Sequence, residues 1–369
     1  MSMTEVAYIV VIVLAAIYWL ALLGPVWHFG QLRESAEECE TTHARISILV
    51  PARNEEMNIA QCLAALKAQT LAAEIIVIND HSEDRTAEIV KATPGVRLLN
   101  LEPSQTGKKA AIEAGIAAAT GEIILTTDAD CTPPPQWSRM MAAQLHKGNV
   151  LCFGPILMHG GRAWLTALQN IESIAVQSIS AGLLGRGVAF TASGASLAYL
   201  RHIPAAAGGY ANDHTPSGDD VLLLLRTHSR QPQNIAWLHQ RAAIVQTAPA
   251  AGFSEFLSQR IRWASKYGSY QSVQVRFLGI VIVAAAALPW ILCAAAFCIG
   301  GLWGPLLVFM ALKFAGDFLL LSLANTFFRK PGLLLWFMPL WPLYQLCMPV
   351  IAAGALRRKF SWKGRTYKT

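Results

Sequence analysis

The chain has 369 residues, 54% hydrophobic and 14% charged, with a formal net charge of +7. Charge this sparse, with this much apolar content, excludes an ordinary soluble enzyme. It also argues against nucleic acid as partner. Arg357, Arg358, Lys359, Lys363, Arg365 and Lys368 form an acid-free tail directly behind an apolar segment. Anionic lipid headgroups on a membrane face answer such a cluster best.

The first segment, within residues 1–25, reads VAYIVVIVLAAIYWLALLG. It is long enough to cross a hydrocarbon core of ~30 Å as a helix. A signal peptide would want a basic start and a small-residue cleavage site, whereas the chain opens MSMTE and the run ends with Trp19, Leu20 and Leu22. An uncleaved anchor is therefore expected. Arg33 and Arg45 follow it, so the positive-inside bias puts the next domain on the cytoplasmic face of the cell membrane. The seven cysteines form no C-x-x-C pair and no metal-ligand spacing with histidine, which suits a reducing compartment.

Residues 45–250 have globular composition, and strands alternate with helices along them. ISILVPARNEE gives a strand and a polar loop, and NIAQCLAALKAQ a helix with Ile59, Cys62, Leu63 and Leu66 on one face. AEIIVIND is a second strand, VRLLNL a third, and GKKAAIEAGIAAATG an alanine-rich helix. The run Ile123 to Leu125 is a buried strand ending at Asp128 and Asp130. This alternation predicts an α/β, doubly wound and mostly parallel sheet, with polar groups gathered at the strands' carboxyl ends. No G-x-G-x-x-G fingerprint or P-loop is present.

An Asp-x-Asp taken alone is more often a turn or helix cap than a metal site. Here it stands in an ordered set: PARNEE, INDHSEDRT, GKKAAIEAG, TTDADCTPPP, SGDD and QRIRW. That set, over roughly residues 45–270, resembles the membrane-bound, inverting family-2 glycosyltransferases with the GT-A fold. FSWKGRTY near the end also resembles several of them.

The resemblance implies roles. Arg53, Glu55 and Asp80 match positions around the nucleoside, and Lys108 one near the nucleotide phosphates. Asp128 and Asp130 match the Asp-x-Asp motif, with Asp130 the more direct ligand of Mg²⁺ or Mn²⁺ bridging a diphosphate. Asp220 matches the general base that takes a proton from the acceptor hydroxyl. Gln259, Arg262 and Trp263 match Q-x-x-R-W, with Arg262 suited to the diphosphate and Trp263 to an apolar floor at the acceptor. The sequence departs from the pattern at Asn79, where another acid is common, and at Asp219, where glutamate is common.

Structural readings stand beside these. Asp219 and Asp220 can cap a helix. Phe253, Phe256, Trp263, Tyr267 and Tyr270 recur at helical spacing, the mark of a packing or interfacial helix over 251–276. Trp164, Leu168, Ile171, Ala175 and Ile179 mark a second helix, interfacial or core.

Residues 277–356 form a membrane region of two or three segments. Gly300, Gly301, Gly304 and Pro305 divide its first run, and Lys313 and Asp317 share a helix face as a headgroup contact or an internal ion pair. Pro339, Pro342 and Pro349 interrupt the last apolar segment, with Arg329 and Lys330 before it and the basic tail, 357–369, after it. A proline-broken re-entrant or interfacial hairpin reconciles the charges with the prolines, with a plain fourth span as the alternative.

The expected activity is transfer of a sugar from a nucleotide-sugar, UDP-linked by resemblance, to a lipid or lipid-linked acceptor. The alternatives are a processive polysaccharide synthase and a membrane component that only binds nucleotide.

Overall fold

The computed structural model describes residues 2–34, 44–209, 218–265, 272–299, 301–356, 359–362 and 365–368. Cys39, Ser217, Tyr267, Tyr270, Arg357, Arg358 and Lys363 lie outside them. In chain order the elements begin with α1 (Met3–Gln31), β1 (Ile46–Ala52), α2 (Ile59–Lys67), β2 (Glu74–Asn79), α3 (Thr86–Lys91), β3 (Val96–Asn100), α4 (Lys108–Ala118) and β4 (Ile123–Thr126). Then come β5 (Cys131–Thr132), α5 (Trp137–His146), β6 (Leu151–Phe153), β7 (Ile156–Met158), α6 (Ala163–Leu184), β8 (Leu197–Leu200), α7 (Ile203–Ala206) and α8 (Asp219–Arg230). The last are β9 (Ile235–Trp237), β10 (Val245–Thr247), α9 (Phe253–Ala264), α10 (Val273–Ile299), α11 (Trp303–Phe328), α12 (Gly332–Leu356), β11 (Lys359–Trp362) and β12 (Arg365–Lys368).

The chain divides into two compact units. A sheet unit comprises Arg33–Gly161, Ala189–Pro249 and Lys359–Thr369; a helical unit comprises Met1–Leu32, Arg162–Val188 and Ala250–Arg358. The expected globular stretch 45–250 is therefore interrupted, because α6 belongs with the apolar helices.

The sheet unit is built on seven strands in the order β3-β2-β1-β4-β8-β6-β9. The first four run parallel, β8 is antiparallel to both neighbours, and β9 is parallel to β6. Six of the seven residues of β1 are buried, as a central strand covered on both faces requires. Ile59, Cys62, Leu63 and Leu66 of α2 are all buried in the core, as their spacing predicts. Gly121, just before β4, has no room for a side chain: a Cβ there would lie 2.5 Å from Ser47 N. A second sheet, β5-β10-β7, fixes the segment after Asp130, whose carbonyl accepts the Ala248 N–H at 3.2 Å. The basic tail holds a hairpin, β11 paired antiparallel with β12.

In the helical unit, α1, α10, α11 and α12 are each long and apolar enough to cross a membrane. α1 runs to Gln31, past the expected end near residue 25. It meets α6 closely: a Cβ on Gly182 would lie 1.9 Å from Pro25 O. Phe29, near the end of α1, packs edge-on against Phe327 and stacks with Phe328 at the end of α11.

Lys313 and Asp317 form an internal network. Lys313 Nζ donates to Asp317 Oδ2 at 2.7 Å, Tyr18 Oη to Asp317 Oδ1 at 2.5 Å, and Trp341 Nε1 to Asp317 Oδ2 at 2.7 Å. Charge inside an apolar bundle is thereby paired and hydrogen-bonded.

The expectation of a proline-broken hairpin in the last segment is corrected. α12 is one continuous helix with Pro339, Pro342 and Pro349 inside it. At 3.6 residues per turn the three prolines fall on one stripe, and all three are exposed. The unbonded carbonyls are confined to that side, while Leu333, Phe337, Leu340, Trp341 and Gln345 pack inward.

Candidate active site

The polar residues of the sheet unit collect where the parallel strands end. β1 leads into Arg53–Asn54–Glu55 and β2 into Asp80–His81–Ser82, two loops that are cross-tied. The Asn54 N–H donates to Ser82 Oγ at 3.1 Å, and the Glu83 N–H to Asn54 Oδ1 at 2.9 Å. Asn54 and His81 both have φ of 52°, the left-handed region that side chains other than glycine rarely adopt. Such conformations persist where the surroundings enforce them, commonly beside functional sites.

Arg53, 9% exposed, donates through Nη1 to the carbonyls of Asp80 and His81 at 2.9 and 3.1 Å. Its guanidinium thus fastens the second loop to the first. The Glu55 N–H donates to Thr86 Oγ1 at 2.8 Å, and Glu55 Oε2 accepts from Asn58 Nδ2 at 3.0 Å. Asn79, the departure from the expected acid, donates to Asn100 Oδ1 at 2.9 Å and accepts the Ser82 N–H at 3.1 Å. An amide can do both, which an ionised carboxylate cannot. Asp80 is buried and accepts the Gly107 N–H at 3.0 Å, fixing the start of α4.

That fixing sets Lys108 at the head of α4. Its Nζ lies 2.5 Å from Asp128 Oδ1. Burial acts to lower the Lys108 pKa, but Asp128, Asp219 and Asp220 together raise it well above the usual lysine range. The lysine is therefore a fixed cation between the two acidic pairs. Gly194 completes the arrangement. A Cβ there would meet Lys108 Nζ at 3.0 Å and Asp219 Oδ2 at 3.7 Å. Its N–H donates to Asp220 Oδ2 at 3.0 Å, and its carbonyl accepts from Thr126 Oγ1 at 2.9 Å. Asp219 and Asp220 open α8, the place where helix-capping acids also sit.

Asp128, Asp130 and Cys131 offer ligand atoms within 4.8 Å of one another. Burial first, then the charges of Asp128 and Glu55, push the Asp130 carboxyl up to about 6. An Asp130 carboxyl raised in this way, with the Asp128 carboxylate beside it, fits a hard divalent cation, which relieves the repulsion. Burial pushes the Cys131 thiol up and keeps it neutral, so the carboxylates are the suitable ligands.

Gln259, Arg262 and Trp263 lie on α9, in the helical unit. Arg260, between them, organises the motif. Its Nη1 donates to Gln259 Oε1 at 2.5 Å, and its guanidinium lies 4.3 Å from the Trp263 ring centroid. Arg260 pairs through Nε with Glu172 of α6, which also accepts from Tyr344 Oη at 3.0 Å. Trp263 itself is 41% exposed. Sequence reading gave Lys108 only the phosphates and assigned no role to Gly194 or Arg260. Long-range contacts set all three roles.

Residues 47–201 match the family described as Glycosyl transferase family 2. The chain is 30% identical over 252 residues to the probable glycosyltransferase YdaM of Bacillus subtilis, an alignment covering 63% of this chain and 57% of the relative. It is 38% identical over 98 residues to a dolichyl-phosphate beta-glucosyltransferase of Trichomonas vaginalis, over 23% of this chain and 30% of that one. The chain thus spans less than two thirds of either relative. Among solved structures, a mannosyltransferase from Pyrobaculum calidifontis, in complex with GDP-Man and Mn²⁺, superposes with a TM-score of 0.58 at 18% identity. That superposition covers 94% of this chain and 99% of that one. Residues 47–201 thus match glycosyl transferase family 2, and the chain carries a mixed α/β, GT-A-like fold.

Proposed function

We propose that the protein transfers a sugar from a nucleotide-sugar to a lipid or lipid-linked acceptor, with inversion at the anomeric carbon. The observation that carries this reading is the placement of Lys108 between Asp128 and the pair Asp219–Asp220. One cation joins an acid pair fit for a metal to an acid fit for a base.

Asp128 and Asp130 would hold Mg²⁺ or Mn²⁺, which supplies charge neutralisation to the departing diphosphate. Lys108 adds a positive charge beside the same phosphates. Arg53, Glu55 and Asp80 shape the nucleoside side. Arg53 works by holding the two loops together, and the carboxylates by accepting hydrogen bonds from base or ribose.

Asp220 takes the proton of the acceptor hydroxyl. The acceptor oxygen forms its bond to the anomeric carbon as the bond from that carbon to phosphate breaks, and the nucleoside diphosphate leaves with the electron pair. The Gly194 N–H fixes Asp220 Oδ2, and a carboxylate's remaining lone pairs are enough for a proton. Gln259, Arg262 and Trp263 are assigned to the donor diphosphate and the acceptor.

A lipid acceptor is supported by four helices fit to cross a membrane and by the dolichyl-phosphate relative. The catalytic domain is placed on the cytoplasmic face of the cell membrane, on the charges that follow α1. The test incubates purified protein in lipid-supplemented detergent with UDP- and GDP-sugars and follows nucleoside diphosphate release and labelled product. A lipid-extractable product of one or a few additions is expected. A water-soluble polymer of high molecular weight would replace this reading with a processive synthase, and no turnover with a binder.

A further inference from the structure

We propose, resting on the reading of Asp128 and Asp130 as metal ligands, that Cys131 and Thr247 are positioning residues for Asp130. Their side chains take up one oxygen of its carboxylate and leave the other for the cation.

β5 begins at Cys131, next to Asp130, and pairs antiparallel with β10 so that Cys131 stands opposite Thr247. Residues directly opposite in an antiparallel pair share a face of the sheet. From that face both side chains reach the same atom. The Cys131 thiol donates to Asp130 Oδ1 at 3.5 Å, within the longer reach of sulfur. The Thr247 hydroxyl donates to the same oxygen, also at 3.5 Å, at the far end of the range for oxygen. A carboxylate oxygen has two lone pairs, so two donors fill it. Asp130 then offers a cation one oxygen, held in a fixed direction.

The backbone holds both donors still. β10 is the middle strand of its sheet, with β5 on one side and β7 on the other. The His159 N–H donates to the Thr247 carbonyl at 2.9 Å, and the Ala248 N–H to the Asp130 carbonyl at 3.2 Å. Asp128 is held from the same turn. Its carbonyl accepts the Cys131 N–H at 3.0 Å, and the Cys62 thiol of α2 lies 3.6 Å from it. Cys131 is fully buried in the core that also holds Cys62 and Val245.

The Cys131 sulfur lies close enough to both carboxylates to be considered a ligand itself. A cysteine that ligates a metal is a thiolate, however, and one that donates to Asp130 keeps its hydrogen, so the two roles exclude one another. The hydrogen bond to Oδ1 assigns Cys131 the second role. Loss of a group that orients a metal ligand typically costs about 10–100-fold in metal affinity.

The full chain in detergent is titrated with Mn²⁺ alone, and the free ion is read by electron paramagnetic resonance. Thr247→Val keeps the branched shape and loses the hydroxyl; it and Cys131→Ala are each expected to weaken Mn²⁺ binding by about 10–100-fold. Thr247→Ser keeps the donor and is expected to bind Mn²⁺ as the unmodified chain does. Cys152→Ala controls for packing. That thiol, in β6, is equally buried, so its loss should lower the unfolding midpoint and leave Mn²⁺ affinity unchanged. Unchanged affinity in Thr247→Val and Cys131→Ala, with binding lost in Asp130→Ala, overturns the positioning role alone. Binding unchanged in all three variants, or absent from the unmodified chain, overturns the metal reading with it. Cd²⁺ separates donor from ligand: a sulfur-to-metal charge-transfer band that Cys131→Ser removes also overturns the positioning role.

Discussion

Lys108 Nζ stands 2.5 Å from Asp128 Oδ1 and draws charge from Asp219 and Asp220 as well, so a single lysine links acids from two distant parts of the chain. The first prediction concerns this link. Lys108→Met should weaken nucleoside diphosphate binding by about 1.5–3 kcal/mol, the range for a hydrogen bond to a charged group. Isothermal titration against the unmodified protein measures it, and unchanged affinity would remove Lys108 from the phosphate site.

Asp220→Asn keeps the shape of the side chain and its capacity to accept the Gly194 N–H, but cannot take a proton. Transfer should fall by about 10²–10⁴-fold while donor binding persists. Near-normal turnover in the folded variant excludes Asp220 as the base.

Asp130→Ala should abolish metal-dependent binding of nucleoside diphosphate and lower transfer by at least about a hundredfold. Chelation of the unmodified protein should have the same effect, reversed by adding Mg²⁺ or Mn²⁺. Full activity after exhaustive chelation contradicts the metal assignment.

Glu74 gives a pH signature of the sheet unit. Burial acts to raise its pKa, but hydrogen bonds from Ser47 Oγ and from the Thr120 N–H and hydroxyl, with the Arg97 charge, outweigh that and lower it. A lowered carboxyl contributes stability above its unfolded pKa of about 4.3 and loses it as pH falls through the lower folded value. The advantage of the natural protein over Glu74→Gln should therefore be full at neutral pH and fade as the pH falls below the unfolded value of about 4.3. Thermal unfolding across that range checks it; a gap that widens in acid would reverse the sign.

Gly182→Ala tests the contact between α6 and α1. The added Cβ would lie 1.9 Å from Pro25 O, a backbone atom that cannot swing aside. A cost of about 1–3 kcal/mol is expected, read as a lower unfolding midpoint in detergent. Gly160→Ala is not a neutral control, because Gly160 has φ of 85°. Gly252, with open space around it and no positive φ, is the suitable one.

Much of the fold is legible in the residue order. Ile59, Cys62, Leu63 and Leu66 announce both a helix and its buried face, and the structure buries all four. The unbroken apolar strands announce a parallel sheet covered on both sides, since alternation would mark a half-exposed one. Asp128 and Asp130 are visible because strand ends are where such a sheet presents its polar groups. These are local properties, fixed by periodicities of two and 3.6 residues.

Tertiary structure alone decides the rest. Nothing local separates Arg53 as a ligand group from Arg53 as a tie between two loops; only the positions of the Asp80 and His81 carbonyls do. Gly194 looks like any loop glycine until α4 and α8 bring Lys108 and Asp219 against it. α6 reads as an interfacial or a core helix, and only the structure packs it with α1, because Gly182 lets Pro25 approach. In α12 the prolines suggested a break. Their shared exposed stripe preserves the inward face, and the helix continues through them, because packing on one side supplies what the missing N–H groups remove on the other.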